Sequence, residues 1–127
     1  MKSVMKPMVF VSAMMLGTAA LADVPASLKG PHKHAQEVSG KITLMRAQVE
    51  GLEIGGNNDL LDAEVLVVLD SEPENVYGIR YHEQKPATGA IVEILRTAYI
   101  HDLPVTIQHV MAPGKKHLKI NWVQLEK

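Results

Sequence analysis

Residues 104–125, PVTIQHVMAPGKKHLKINWVQL, hold two alternating apolar runs joined through Pro113 and Gly114. Alternation of this kind around a Pro-Gly turn predicts a β-hairpin. Val105, Ile107, His109 and Met111 share one face of its first strand, and Leu118, Ile120 and Trp122 share one face of its second. The stretch just before it, 87–103, ATGAIVEILRTAYIHDL, has a different period. Ile91, Ile94, Leu95 and Ala98 fall at i, i+3, i+4 and i+7, one apolar stripe of a helix. Pro86 suits its first turn, where a missing N–H costs nothing. Asp102 and Pro104 bracket its end, because proline disfavours helical geometry in the residue before it.

Upstream, the pattern reads as strands. VSGKITLMRAQ, 38–48, alternates, with Val38, Gly40, Ile42 and Leu44 on one side and Lys41, Thr43 and Met45 on the other. VEGLEI, 49–54, continues as a second strand and stops at the turn cluster GGNND, 55–59. AEVLVVLD, 63–70, is a near-continuous apolar run, the signature of a strand covered on both faces. SEPEN, 71–75, breaks it, and VYGIRYH, 76–82, alternates again with Tyr77, Ile79 and Tyr81 on one side. The expected order is therefore β-β-β-β-α-β-β. A small curved antiparallel sheet leaves an open end, and one helix laid across it covers the apolar interior and removes a wet edge. The fold class is mainly β with one helix, a small OB-fold-like antiparallel barrel spanning 38–127.

The N-terminal 22 residues, MKSVMKPMVFVSAMMLGTAALA, carry Lys2 and Lys6, then an apolar stretch from about Met8 to Leu21, then Ala20-Leu21-Ala22. That is a signal peptide pattern, cleaved before Asp23, and it places the protein in the periplasm or outside the cell. Its apolar core is short for a membrane span, which needs roughly 20 apolar residues. Residues 23–37, DVPASLKGPHKHAQE, have no periodicity and read as an extended leader segment. Cleavage leaves 105 of the 127 residues, a single domain, with 11 basic against 14 acidic side chains and a formal charge of −3. A mildly acidic chain without a basic cluster is poorly suited to nucleic acid, which demands phosphate neutralisation, or to an anionic membrane surface. There is no cysteine, which excludes thiol nucleophiles, disulfides and iron–sulfur clusters.

The run IVEILRTAYIHDLPVTIQHVM, followed by a short turn and HLKINWVQL, resembles the C-terminal half of the receptor-binding B subunits of cholera-type toxins. Those are exported OB-fold proteins in which a long helix ending in a Leu-Arg-x-Ala-Tyr run leads into a strand, a turn and a final strand. Here the run is Leu95-Arg96-Thr97-Ala98-Tyr99, and the similarity covers about 40 residues, Ala87 to Leu125. The resemblance implies the fold and a ring of identical subunits, and not a receptor. The toxin subunits carry a disulfide and a sugar-stacking tryptophan at the end of the penultimate strand. This chain has no cysteine, and the matching positions are Met111, then Ala112, Pro113 and Gly114. No sugar-binding residue carries over.

The chemistry-bearing residues point to binding. His32 and His34, two apart in an extended segment, can reach one metal ion, although no third ligand is set by spacing. Lys115, Lys116 and His117 form the densest positive patch and suit an anionic ligand such as a sialylated glycan or a lipid headgroup. Gly89, Glu93, Arg96 and Ile100 point away from Ile91 on the helix, the face that would meet another subunit. Asp59 with Asp62, and Glu72 with Glu74, fall where turns are expected, not in the facing geometry that glycoside hydrolysis needs. No Gly-x-Ser-x-Gly elbow or phosphate loop is present. The expectation is an exported, non-catalytic binding module without a cofactor, acting as a homo-oligomer on a glycan or protein partner. The alternative is a monomeric periplasmic OB-fold accessory protein that binds a protein, a small molecule or a metal.

Overall fold

The computed structural model describes residues 35–81 and 85–126. Residues 1–22, expected to be a signal peptide, and His32, His34 and His82 lie outside them. The described elements are β1 (Ala35–Ala47), β2 (Glu53–Gly56), β3 (Asp59–Asp62), β4 (Val65–Leu69), β5 (Glu72–Ile79), α1 (Pro86–His101), β6 (Pro104–Val110) and β7 (His117–Leu125). β1 thus begins at Ala35, within the segment expected to be leader. Five strands close into a barrel in the order β1-β4-β5-β7-β6, with β1 pairing to β6 to complete the ring. All barrel pairs are antiparallel except β5 with β7, because α1 carries the chain across before the final hairpin returns. The architecture is mainly β with one described helix, consistent with the OB-like barrel expected.

Five strands, not four, precede the helix. The GGNND cluster is the turn of a β2–β3 hairpin, with Gly55 at φ 103 and Asn58 at φ 62 in the left-handed region. β3, Asp59–Asp62, escapes sequence reading because two leucines between two aspartates show no alternation. This hairpin stands outside the barrel. Leu61 packs with Ala63 and Leu66, flanked by Ile54 and Val76. It therefore covers the outer side of β4, while Val65, Val67 and Leu69 face the barrel core. Both faces of the apolar run are buried, as its composition predicts.

Two bulges reverse the alternation expected in the long strands. β1 pairs Ile42 with Leu69 but Leu44 with Val68, so Thr43 is an extra residue. One inserted residue turns the following side chains over. Val38, Ile42 and Met45 then face the core, and Leu44 is half-exposed. β7 does the same at Asn121, since Gln108 pairs with Trp122 and His109 with Ile120. Leu118, Ile120 and Val123 point inward, and Trp122 does not join them. A wider distortion accommodates Pro73. Val67 pairs with Tyr77 but Leu69 with Glu72, so residues between Glu72 and Tyr77 loop away from β4, and proline's missing N–H breaks no ladder bond. After a two-residue turn at Asp70 and Ser71 the rest of SEPEN is accordingly the start of β5, and Glu72 and Glu74 belong to that strand. The β4–β5 turn rests on β1 at Gly40, where a Cβ would stand 2.6 Å from Asp70 Oδ1.

The helix closes one end of the barrel. It begins at Pro86 and stops at Asp102, whose left-handed φ of 54 ends the last turn, with Leu103 N–H donating to Ala98 O at 2.9 Å. Leu95 and Ala98 are fully buried, and Ile91 and Ile94 pack against the barrel core beside them.

Candidate ligand pocket at the open end of the barrel

β6 starts at Pro104 beside the helix and runs to Val110 at the opposite end of the barrel. Among the described residues no helix covers that end. A cavity of about 360 Å³ opens there between the start of β1, the bulged start of β5 and the 111–115 segment of the loop joining β6 to β7. That size falls within the range of small-molecule sites.

Its floor is aromatic. Tyr77 is buried, and its ring packs against His109 with centroids 5.2 Å apart and planes tilted by 44°. Asn75 Nδ2 donates to the Tyr77 hydroxyl at 3.3 Å. Burial pushes that hydroxyl above its ordinary pKa of 10.0, the Asn75 hydrogen bond opposes the rise, and the charge of Glu72 adds to it. His109 Nδ1 lies 2.9 Å from the Val110 carbonyl oxygen. A carbonyl only accepts, so Nδ1 is the donor of this pair. Glu37 and Glu72 on one side and Lys115 on the other give the rim both signs of charge.

The β6–β7 loop is held in place from below. Lys115 N–H donates to Ala112 O at 3.0 Å across the turn, and Gly114 takes φ 78, which a side chain would resist. The β2–β3 hairpin then grips the far side of the loop. The Asp59 carboxylate accepts from Lys116 N–H at 3.1 Å and from His117 N–H at 3.1 Å, and its Oδ2 lies 3.0 Å from His117 Nδ1. Desolvation alone would raise the Asp59 pKa. The Lys116 and His117 hydrogen bonds and the His117 charge outweigh it and hold the carboxyl below 3.8. Lys116 Nζ meets Glu74 at 2.6 Å, which raises the lysine pKa and lowers that of the glutamate. Val76 N–H donates to Lys116 O at 2.7 Å. Two separate segments, β3 and β5, thus converge on residues 116 and 117.

No family model, curated protein or solved structure matches this chain.

The structure separates the residues that the sequence grouped as a positive patch. Lys115 lines the pocket, whereas Lys116 and His117 are engaged by Glu74 and Asp59. Gly89, Glu93, Arg96 and Ile100 all stand on the exposed side of α1, and Ile100 is 59% exposed. Asp62 meets Arg80 at 3.6 Å. Among the described residues no group of three or more His, Asp or Glu side chains is placed to hold a metal ion, and no helix is long and apolar enough to cross a membrane. Sequence reading missed Asn75 and Asp59 as parts of a site. Asp59 left one usable sign, an acidic residue directly after a left-handed asparagine turn. Asn75 left none, because only the bulge in β5 brings its amide to the hydroxyl of Tyr77.

Proposed function

We propose that this chain is an exported, non-catalytic binding module that works as a ring of identical subunits, as the B subunits of cholera-type toxins do. The ligand, a glycan or another group on a cell surface, enters the pocket at the open end of the barrel. The observation that carries this reading is the asymmetry of the barrel: a helix seals one end, and the other holds a polar cavity with an aromatic floor and a braced rim. A hydroxyl, an amide, an imidazole and charges of both signs recognise a polar ligand, and nothing in that set acts as a paired nucleophile and base. The strand order, with its parallel β5–β7 contact, supports an OB-type barrel. The exposed Glu93, Arg96 and Ile100 supply a helix face for a neighbouring subunit. On this reading the first 22 residues are a signal peptide and the mature chain begins at Asp23.

Light scattering on the mature protein tests the assembly. A particle of about five times the monomer mass is expected, and Ile100→Glu should reduce it without altering the circular dichroism spectrum. A monomer across the micromolar range overturns the ring. It leaves a monomeric periplasmic accessory protein that uses the same pocket for a small molecule.

A further inference from the structure

Three charges line the cavity at the open end of the barrel. Glu37 comes from the start of β1, Glu72 from the start of β5, and Lys115 from the loop between β6 and β7. The charges next to them in sequence are engaged, Lys116 with Glu74 and His117 with Asp59. Among the described residues Glu37, Glu72 and Lys115 have no ion-pair partner, and they do not pair with one another. Both signs of charge therefore border one cavity without neutralising each other.

These groups are within reach of a ligand. Glu37 and Glu72 are exposed, and Lys115 is half-buried. The charge of Glu72 raises the pKa of the Tyr77 hydroxyl, so that carboxylate acts on the cavity floor as well as on solvent. The backbone that carries Lys115 is held, since its N–H donates to Ala112 O and the next N–H donates to Asp59. Tyr77 and His109 differ from these three. They are 0% and 5% exposed and pack on each other, so they support the cavity from beneath and offer a ligand no open ring face.

From this arrangement we infer that the pocket takes a small zwitterion, whose primary ammonium group meets Glu37 and Glu72 and whose anionic group meets Lys115. An ammonium with three N–H donors suits two carboxylates delivered by different strands. A quaternary ammonium is held on aromatic faces, and no exposed ring lines this cavity. A purely anionic ligand, such as a sialic acid, would meet two like charges, and a neutral sugar would leave all three charges unanswered. Walls of low dielectric strengthen both ion pairs relative to pairs on an open surface. An ethanolamine phosphate headgroup and a free amino acid present the same pair of charges. The inference rests on reading the open end as a ligand pocket and names the class of ligand; it does not need the ring.

Calorimetric titration of the mature protein tests this. The zwitterionic probes are phosphoethanolamine and γ-aminobutyrate. Ethanolamine carries the ammonium alone, inorganic phosphate the anion alone, phosphocholine a methylated ammonium, and methyl galactoside no charge. At least one zwitterion should bind roughly tenfold tighter than ethanolamine, phosphate or phosphocholine. A preference for phosphoethanolamine identifies a phosphate headgroup, and one for γ-aminobutyrate a free amino acid; both support the inference. Glu37→Gln and Glu72→Gln should each weaken the zwitterion and ethanolamine about fivefold, whereas Lys115→Gln should weaken the zwitterion and leave ethanolamine unchanged. None of the three side chains is buried, and an unchanged circular dichroism spectrum checks that the variants fold. Three results overturn the inference: ethanolamine or phosphocholine binding as tightly as the zwitterions, variants that leave zwitterion binding intact, or no zwitterion binding. If methyl galactoside binds in that last case, the pocket and the binding module stand without this ligand class. If no probe binds, the pocket falls with it. Zwitterion binding by a monomer removes the ring and leaves this inference.

Discussion

The two ends of the barrel are built from different materials. At the helix end the seal is apolar: Leu95 and Ala98 are fully buried members of the barrel core, with Ile91 and Ile94 packed against it. At the open end the holding contacts are polar and partly wet: Asn75 on Tyr77, Asp59 under the β6–β7 loop, and Lys116 with Glu74 at the surface. Apolar burial is non-directional and roughly proportional to area, so it stabilises without shaping a surface for a ligand. Hydrogen bonds and charges contribute less net stability but specify geometry. One end therefore carries stability, and the other gathers polar groups around a cavity.

The most damaging way to break that contrast is at the helix. Leu95→Ala removes a fully buried side chain from the plug and should cost about 2–5 kcal/mol, read from urea unfolding. A loss below about 1 kcal/mol would mean that the helix is an accessory and not the seal. Tyr77→Phe probes the open end from inside. It keeps the ring against His109 but takes away the hydroxyl that Asn75 meets, and should cost about 0.5–1.5 kcal/mol.

Acid sharpens the comparison further. The folded chain holds the Asp59 carboxyl proton less tightly than the unfolded chain does, because its pKa is depressed below 3.8. The stability it supplies is complete above that ordinary value and is lost as pH falls through the lower folded value. Asp59→Asn should therefore flatten the acid limb of a plot of thermal midpoint against pH, measured from neutrality down to pH about 2. Leu95→Ala should shift the whole curve without changing that limb. The smallest effect belongs to the Lys116–Glu74 pair, whose side chains are 57% and 76% exposed. Lys116→Gln should change the unfolding midpoint by little more than experimental error, and added salt should erase the difference.

Several parts of this molecule are legible in the chain alone. The helix, its stripe of Ile91, Ile94, Leu95 and Ala98, and its stops at Pro86 and Asp102 follow from period and local stereochemistry. So does the final hairpin around Pro113 and Gly114, and so does the run at 65–69, whose composition required cover on both faces. These are local properties, settled by residues within one or two turns of each other.

Tertiary structure decided the rest. The bulges at Thr43 and Asn121 leave no mark in composition, yet each one reverses the alternation, exposing Leu44 and moving Trp122 to the outside of the sheet. A bulge forms because β1 must pair with β6 along one half and β4 along the other, and because β7 must turn from β5 to β6. That demand comes from closing the barrel, not from the residues at the bulge. The same holds for the pocket. Asn75 meets Tyr77 only because β5 loops away from β4 around Pro73, and Asp59 meets residues 116 and 117 across 57 and 58 positions of sequence. Sequence alone specified which segments alternate and which coil. Closure of the sheet determined which side chains line the cavity, since register is a property of strand pairs and no single strand contains it.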